Sequence, residues 1–346
     1  MRGSYFLGPD HQTKFEVRDI ELSDLKDNEV LIKNMACGIC GTDVHIYHGE
    51  AGSATVNPPI VLGHEFSGVI EKVGDKVTTV KVGDHVTIDP NMYCGKCRSC
   101  RMGRKQNCEN LMALGVNLNG GFAEYSIAPE TQCFIINKDV DFDVAAMAEP
   151  LACVIHGIDQ TQLHAGQTVV VIGGGTIGLL MVQMVKLYGA ATVVLSEPIE
   201  MRRKLGRKLG ADFTIDPIKE DINEKMLEYT GRAGADVVVE CVGNVIAAEQ
   251  AIKFADYGAT VLLFGVPSPN AKLNLPLFDI FKKELKLVGS MINPDTHQRA
   301  VNLINNGNIK AKELITHVYG LDDLDSAIHK QMSNDSIKVV IHPQAN

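Results

Sequence analysis

At 346 residues the chain exceeds the roughly 250–300 residues at which single cores stop growing, so two domains are expected. Its 45% hydrophobic and 22% charged residues suit a soluble globular protein, and a net charge of −9 weighs against a nucleic-acid partner, which needs clustered positive charge. Nine cysteines cannot close a complete disulfide framework, and no long apolar run follows the opening MRGSYFLGP, so a cytoplasmic location with reduced thiols is expected.

From residue 5 to about 140, short runs such as EVLIKNMAC, HEFSGVIEKVG, KVGDHVTI and GGFAEYSIA alternate in polarity between Gly, Asp and Asn turns, which predicts a β-rich domain. Two stretches here carry metal-binding chemistry, GICGTDVH (38–45) and LGHEFSG (62–68). Cys40, His64 and Glu65 offer sulfur, nitrogen and oxygen, the mixed donor set of catalytic zinc sites that keep a position open. Glu149, in AEPLA, is a carboxylate able to fill that position until substrate arrives. Spacing alone leaves His64 readable as a core histidine and Glu65 as a helix-end carboxylate. The run CGKCRSCRMGRKQNC then gathers Cys94, Cys97, Cys100 and Cys108 in a basic loop with almost nothing apolar to bury. Four thiolates at this spacing close a tetrahedron around a structural zinc, whose binding would supply the folding free energy of the loop. Two disulfides or an iron–sulfur centre are the alternatives, and a reducing compartment argues against the former.

From about residue 153 strands alternate with helical stretches. Strands are expected at 168–172, 192–195, 236–240, 260–264 and 285–288, with 213–215 completing six. Helices at 176–188, 199–209 and 245–257 fit as crossovers of a parallel sheet. The apolar segment 168–185 is too rich in β-branched residues and glycine for a membrane span and reads as a buried strand entering a helix. The tail returns to helices near 297–306 and 321–332 and a last strand at 337–341.

VVVIGGGTIGLL sets Gly173, Gly175 and Gly178 in G-x-G-x-x-G spacing between strand and helix, with Thr176 and Ile177 inside the turn. The first glycine permits the tight turn, the second a close approach to a pyrophosphate, and the third the packing of helix on strand. Glu197, nineteen residues past Gly178, ends the next strand and can accept both ribose hydroxyls of NAD while repelling a 2′-phosphate. Arg202 and Arg203, one turn on, leave room for NADP. NAD is the expected cofactor.

The order GICGTDVH, LGHEFSG, four-cysteine lobe, GGFAEY, AEPL, GGGTIG resembles the zinc-dependent medium-chain dehydrogenases. It is most similar to their polyol branch, which includes sorbitol dehydrogenase and bacterial relatives acting on sugar alcohols, threonine and butanediol. The resemblance implies an α/β protein: a GroES-like β-rich catalytic domain (1–152, with a structural-zinc lobe at about 94–108, and 290–346) and an inserted Rossmann domain with a doubly wound parallel sheet (153–289). The active site would lie in the cleft between them. It further implies two Zn2+ per chain, the catalytic one held by Cys40, His64, Glu65 and Glu149, the last directly or through water. Cys40 rather than Cys37 falls at the ligand position because it directly precedes Gly-Thr-Asp. Asp43 would support His64, and Thr42 would take the proton of the alcohol and pass it towards His45 and solvent. A metal in such a site makes a bound alcohol more acidic. Gly173, Gly175, Thr176, Ile177, Gly178, Glu197 and Arg202 would hold the cofactor.

The implied reaction is reversible transfer of hydride from a secondary hydroxyl of a polyol or sugar alcohol to NAD, giving a ketose. Gly41 stands where some relatives carry a bulky basic residue, which fits a small, roomy polar pocket. Sugar-alcohol phosphates, threonine and butanediol are the alternative substrates, and a catalytically silent nucleotide-binding protein is the alternative of another class. The expected partners are a small-molecule alcohol or ketose and copies of the same chain in a homotetramer or homodimer, with no nucleic acid and no membrane.

Overall fold

The strand Glu29–Gly38 organises the first of two compact units in this computed structural model, which describes residues 1–50 and 56–345. On one side it pairs antiparallel with Glu65–Val73, placing Gly38 opposite Glu65. On another it pairs with the last strand, Lys338–Ile341, placing Val340 opposite Gly38, and Tyr125–Pro129 joins it as a further partner. These belong to a seven-stranded sheet that also takes in Cys133–Ile135, His85–Ile88 and Ile315–Tyr319. Alternate residues of these strands turn inward, and Ile32, Phe66, Ile70, Val86, Ile88 and Phe122 form the apolar centre of the unit. The unit comprises Met1–Ala152 and Asn293–Asn346, so both ends of the chain build it.

The second unit, Cys153–Ile292, is a six-stranded parallel sheet. Its spatial order is Phe213–Ile215, Thr192–Ser196, Thr168–Ile172, Ala235–Glu240, Ala255–Leu263, Lys286–Gly289, the 3-2-1-4-5-6 order of a doubly wound dinucleotide fold. Thr168–Ile172 is buried along its whole length, as a central strand covered on both faces must be. The crossover helices Thr176–Leu187, Glu200–Lys208 and Val245–Phe254 match the helical periodicity to within a few residues. One difference has a clear cause. The helical pattern at 245–257 stops at Phe254, because Ala255 pairs with Ala235 and starts a nine-residue strand. The unit ends at Ile292, beyond the sixth strand, rather than at 289.

Candidate active site

Three strand ends and one short helix assemble a cluster of buried ionisable groups in the first unit. Cys40 lies just after the strand Glu29–Gly38 and caps the helix Gly41–Tyr47; its backbone N–H donates to the Asp43 carboxylate at 2.8 Å. Gly63, at φ +92°, turns the chain so that His64 and Glu65 enter the next strand facing Cys40, and a Cβ at Gly63 would press into Phe122 and Cys37. One donor atom each from Cys40, His64 and Glu65 lies within 4.8 Å of the others. Asp43 is fully buried, with Oδ1 3.7 Å from His64 Nδ1, and neither atom has another hydrogen-bond partner among the described residues. With Nδ1 turned to Asp43, Nε2 is the nitrogen left for a metal.

The charges in this cluster conflict unless a cation joins them. Burial pushes the Cys40 thiol up and Glu65 adds to that, while burial also raises Asp43. Burial alone would lower His64, yet Cys40, Asp43 and Glu149 together hold it well above its ordinary value. A dication relieves every one of these strains by replacing protons, and the S, N, O donor set suits zinc. Cys37 sits outside the cluster, fully buried under Gly63 and Gly121, with its thiol pushed well up chiefly by burial.

Glu149 is buried in the first turn of the helix Ala148–Thr161. It acts on His64 through its charge but does not belong to the three-donor group. Thr42 and His45 stand three residues apart on the helix Gly41–Tyr47, hence on one face, and His45 Nδ1 lies 2.5 Å from Glu50 Oε2. A Cβ at Gly41 would meet nothing within 4 Å, so the space beside Cys40 is open. One participant escaped the sequence reading. The buried Lys338 ammonium pairs with Glu65 Oε2 and donates to the Ile39 carbonyl at 2.9 Å. Burial opposes its charge, but Glu65 and then Cys40 keep its pKa raised.

The second sulfur cluster brings Cys94, Cys97, Cys100 and Cys108 within 4.8 Å of one another, and none of them forms a disulfide. Backbone N–H groups already point at the sulfurs: Cys94 N–H donates to Cys108 Sγ at 3.3 Å, Cys97 N–H to Cys94 Sγ at 3.4 Å and Asn110 N–H to Cys108 Sγ at 3.4 Å. Such donors stabilise thiolate, and those of Lys96 and Cys97 bring Cys94 down to about 6. Cys97 is lowered likewise, while burial pushes Cys100 up to about 12, and the four sulfurs gathered within 4.8 Å fit a closed zinc site.

In the second unit, Gly173 adopts φ +95° after the first strand, and Gly175 caps the helix Thr176–Leu187. A Cβ at Gly178 would collide with the Gly173 carbonyl, so the third glycine is what lets helix and strand approach. Glu197, buried at the end of the second strand, accepts from the Gly174 N–H at 2.6 Å and the Ile199 N–H at 2.8 Å. Arg203 is committed elsewhere, to the Glu197 and Pro198 carbonyls at 2.7 Å and to Asp216. Arg202 is the arginine beside the phosphate turn, its Cβ 3.3 Å from where a Gly174 Cβ would stand. Thr176 and Ile177 open the helix at this turn.

Comparison with known proteins agrees with this architecture. Residues 26–138 match the alcohol dehydrogenase GroES-like domain and residues 176–306 the zinc-binding dehydrogenase family. Sorbitol dehydrogenase of Halalkalibacterium halodurans is 39% identical over 91% of this chain and 92% of its own length. L-threonine 3-dehydrogenase of Caldanaerobacter subterraneus subsp. tengcongensis is 34% identical over 96% of each. Among solved structures, a Sinorhizobium meliloti 1021 protein described as a zinc-binding dehydrogenase, bound to NADP, superposes with a TM-score of 0.94 at 38% identity, covering 99% of both chains. The chain therefore belongs to the zinc-dependent medium-chain dehydrogenases, in the polyol-dehydrogenase-like branch. It is a zinc-dependent enzyme of the alcohol dehydrogenase type that uses a nicotinamide dinucleotide. No helix among the described residues is long and apolar enough to cross a membrane.

Proposed function

We propose that this enzyme oxidises a secondary hydroxyl of a polyol or sugar alcohol to the ketose with NAD, reversibly, using one catalytic and one structural zinc per chain. The carrying observation is the convergence of Cys40, His64 and Glu65 on one point, with the Glu149 charge acting on the same imidazole. Held by these residues, zinc would supply the acidification of the alcohol hydroxyl, and a bound nicotinamide would supply the hydride acceptor.

The remaining steps belong to the residues of this chain. Cys40, His64 and Glu65 hold the metal, and Asp43 fixes the cysteine backbone and the imidazole ring. Glu149, whose charge reaches His64, would approach the metal, directly or through water, and withdraw when substrate enters. The Thr42 hydroxyl would accept the proton lost by the alcohol as it gives up its own through the cofactor ribose towards His45, which would release it to solvent while Glu50 holds its Nδ1. The open space beside Gly41 leaves room for the chain of a polyol. Glu197 selects NAD by accepting from the ribose diol and repelling a 2′-phosphate. The work is done by a homotetramer or homodimer; Leu277, Phe278 and Phe281, each at least 70% exposed beside the edge strand Lys286–Gly289, favour a self-associating surface.

The test is a panel of sugar alcohols, their phosphates, L-threonine and 2,3-butanediol, assayed for NADH and NADPH formation with and without added zinc. A free sugar alcohol should give the highest kcat/KM, with NAD, and chelation should abolish it. Preference for threonine, the substrate named for one of the relatives, would overturn the polyol assignment.

A further inference from the structure

Lys338 is 2% exposed in its side chain and meets the 3% exposed Glu65 across 273 residues of sequence. Three adjacent strands create the meeting. Lys338–Ile341 pairs with Glu29–Gly38 through Val340 and Gly38, and Gly38 in turn faces Glu65. A Cβ at position 38 would strike both Glu65 Oε2 and the Lys338 side chain, so the absence of one keeps the passage open. The ammonium has only donors to offer, and it spends two on the Glu65 carboxylate and the Ile39 carbonyl, next to Cys40. A buried ion pair adds little net stability compared with apolar residues of the same volume, so stability does not explain a lysine here. Its contact with a metal donor does.

We propose that Lys338 is a positioning residue for the catalytic metal: by holding Oε2 of Glu65 it confines that carboxylate to one ligand oxygen and limits the affinity of the site for zinc. The inference rests on the reading of Cys40, His64 and Glu65 as a metal site. A dication, the Cys40 thiolate and the carboxylates of Glu65 and the buried Asp43 sum to one negative charge, which the Lys338 ammonium cancels.

Zinc affinity is measured by chelator competition on the full-length enzyme, with Cys40→Ser run in parallel to subtract metal held by the four-cysteine lobe. Lys338→Met is expected to tighten zinc at the Cys40-dependent site about tenfold or more, because a fixed cation is removed and both Glu65 oxygens are released. In a Glu65→Gln background the same change should tighten zinc at least about threefold less than in the wild type, because only the loss of the fixed cation then acts. Unchanged or weaker binding by a folded Lys338→Met overturns the proposal, as does equal tightening in both backgrounds. If Lys338→Met alone does not fold, the double variant Glu65→Gln/Lys338→Met, which leaves no lone buried charge, is compared with Glu65→Gln: a tenfold difference between them refutes action through Glu65. Should wild type and Cys40→Ser hold equal zinc, the metal-site reading itself fails, a result distinct from the others.

Discussion

Replacing Glu197 by glutamine tests coenzyme choice with almost no change of shape. The carboxylate of Glu197 accepts from Gly174 and Ile199 N–H, and the amide keeps one accepting oxygen, so one backbone donor loses its partner at a cost of about 1–3 kcal/mol to the turn. Towards NAD the variant loses a charge-assisted bond to the ribose, worth about 1.5 kcal/mol or more. Towards NADP it removes repulsion between a carboxylate and a 2′-phosphate of nearly two charges; at roughly 6 Å and an effective dielectric of about 40 this is on the order of 2 kcal/mol. Together these, about 3.5 kcal/mol, move the ratio of kcat/KM for NAD over NADP by about 400-fold towards NADP. Initial rates with both coenzymes at saturating alcohol, at low and high salt, measure the ratio, and a melting curve controls for the turn. Salt should shrink the wild-type discrimination, since its repulsive part is screened over about 8–10 Å. A ratio that moves less than about threefold, with NAD kinetics unaltered, refutes Glu197 as the selector.

Three further outcomes follow from the same geometry. Cys100→Ser should lower zinc content by one atom per chain and open residues 94–108 to proteolysis, because that lobe has little besides the metal to fold around; unchanged metal content counts against a zinc there. Glu149→Ala should weaken zinc retention about tenfold on dialysis and slow turnover, and a variant unaltered in both denies Glu149 any part in the site. Asp89 is buried beside Asn91 and Asn293, and burial lifts its carboxyl to about 6 from an ordinary 3.8. The folded state thus binds this proton more tightly than the unfolded one. Its stabilising share is complete below about pH 4 and is lost as pH rises through 6, a swing of about 3 kcal/mol. Asp89→Asn removes that swing. Its melting temperature relative to wild type should rise by several degrees between pH 4.5 and 7.5, and a difference constant across that range would refute the account.

The parts of this protein legible in the sequence are those coded within a few residues. The six strands of the second unit announce themselves as short β-branched runs, because a central parallel strand is apolar on both faces. Gly173 and Gly178 are equally readable, since φ +95° at one and the contact with a carbonyl at the other leave no room for a side chain. The short helices Ile222–Thr230 and Leu277–Lys283 were not read, the latter because its exposed Leu277, Phe278 and Phe281 give no inward-facing stripe. In the first unit the strands could be listed but not paired, because alternation names the inward face of a strand and says nothing about its neighbour.

That difference accounts for what was missed at the site. Cys40, His64 and Glu65 lie in two short stretches whose residue types alone suggest a metal. Lys338 lies second in the expected strand 337–341, and nothing local to that run of residues marks it as buried or ties it to Glu65. Only the register, Gly38 opposite Glu65 on one side and Val340 on the other, turns it inward. A one-residue slip of the last strand would send Lys338 to the opposite face and leave Glu65 without its partner. The charge balance of the metal site is therefore set by the pairing of the C-terminal strand, and a substitution that shifts that pairing should disturb zinc binding without touching a ligand.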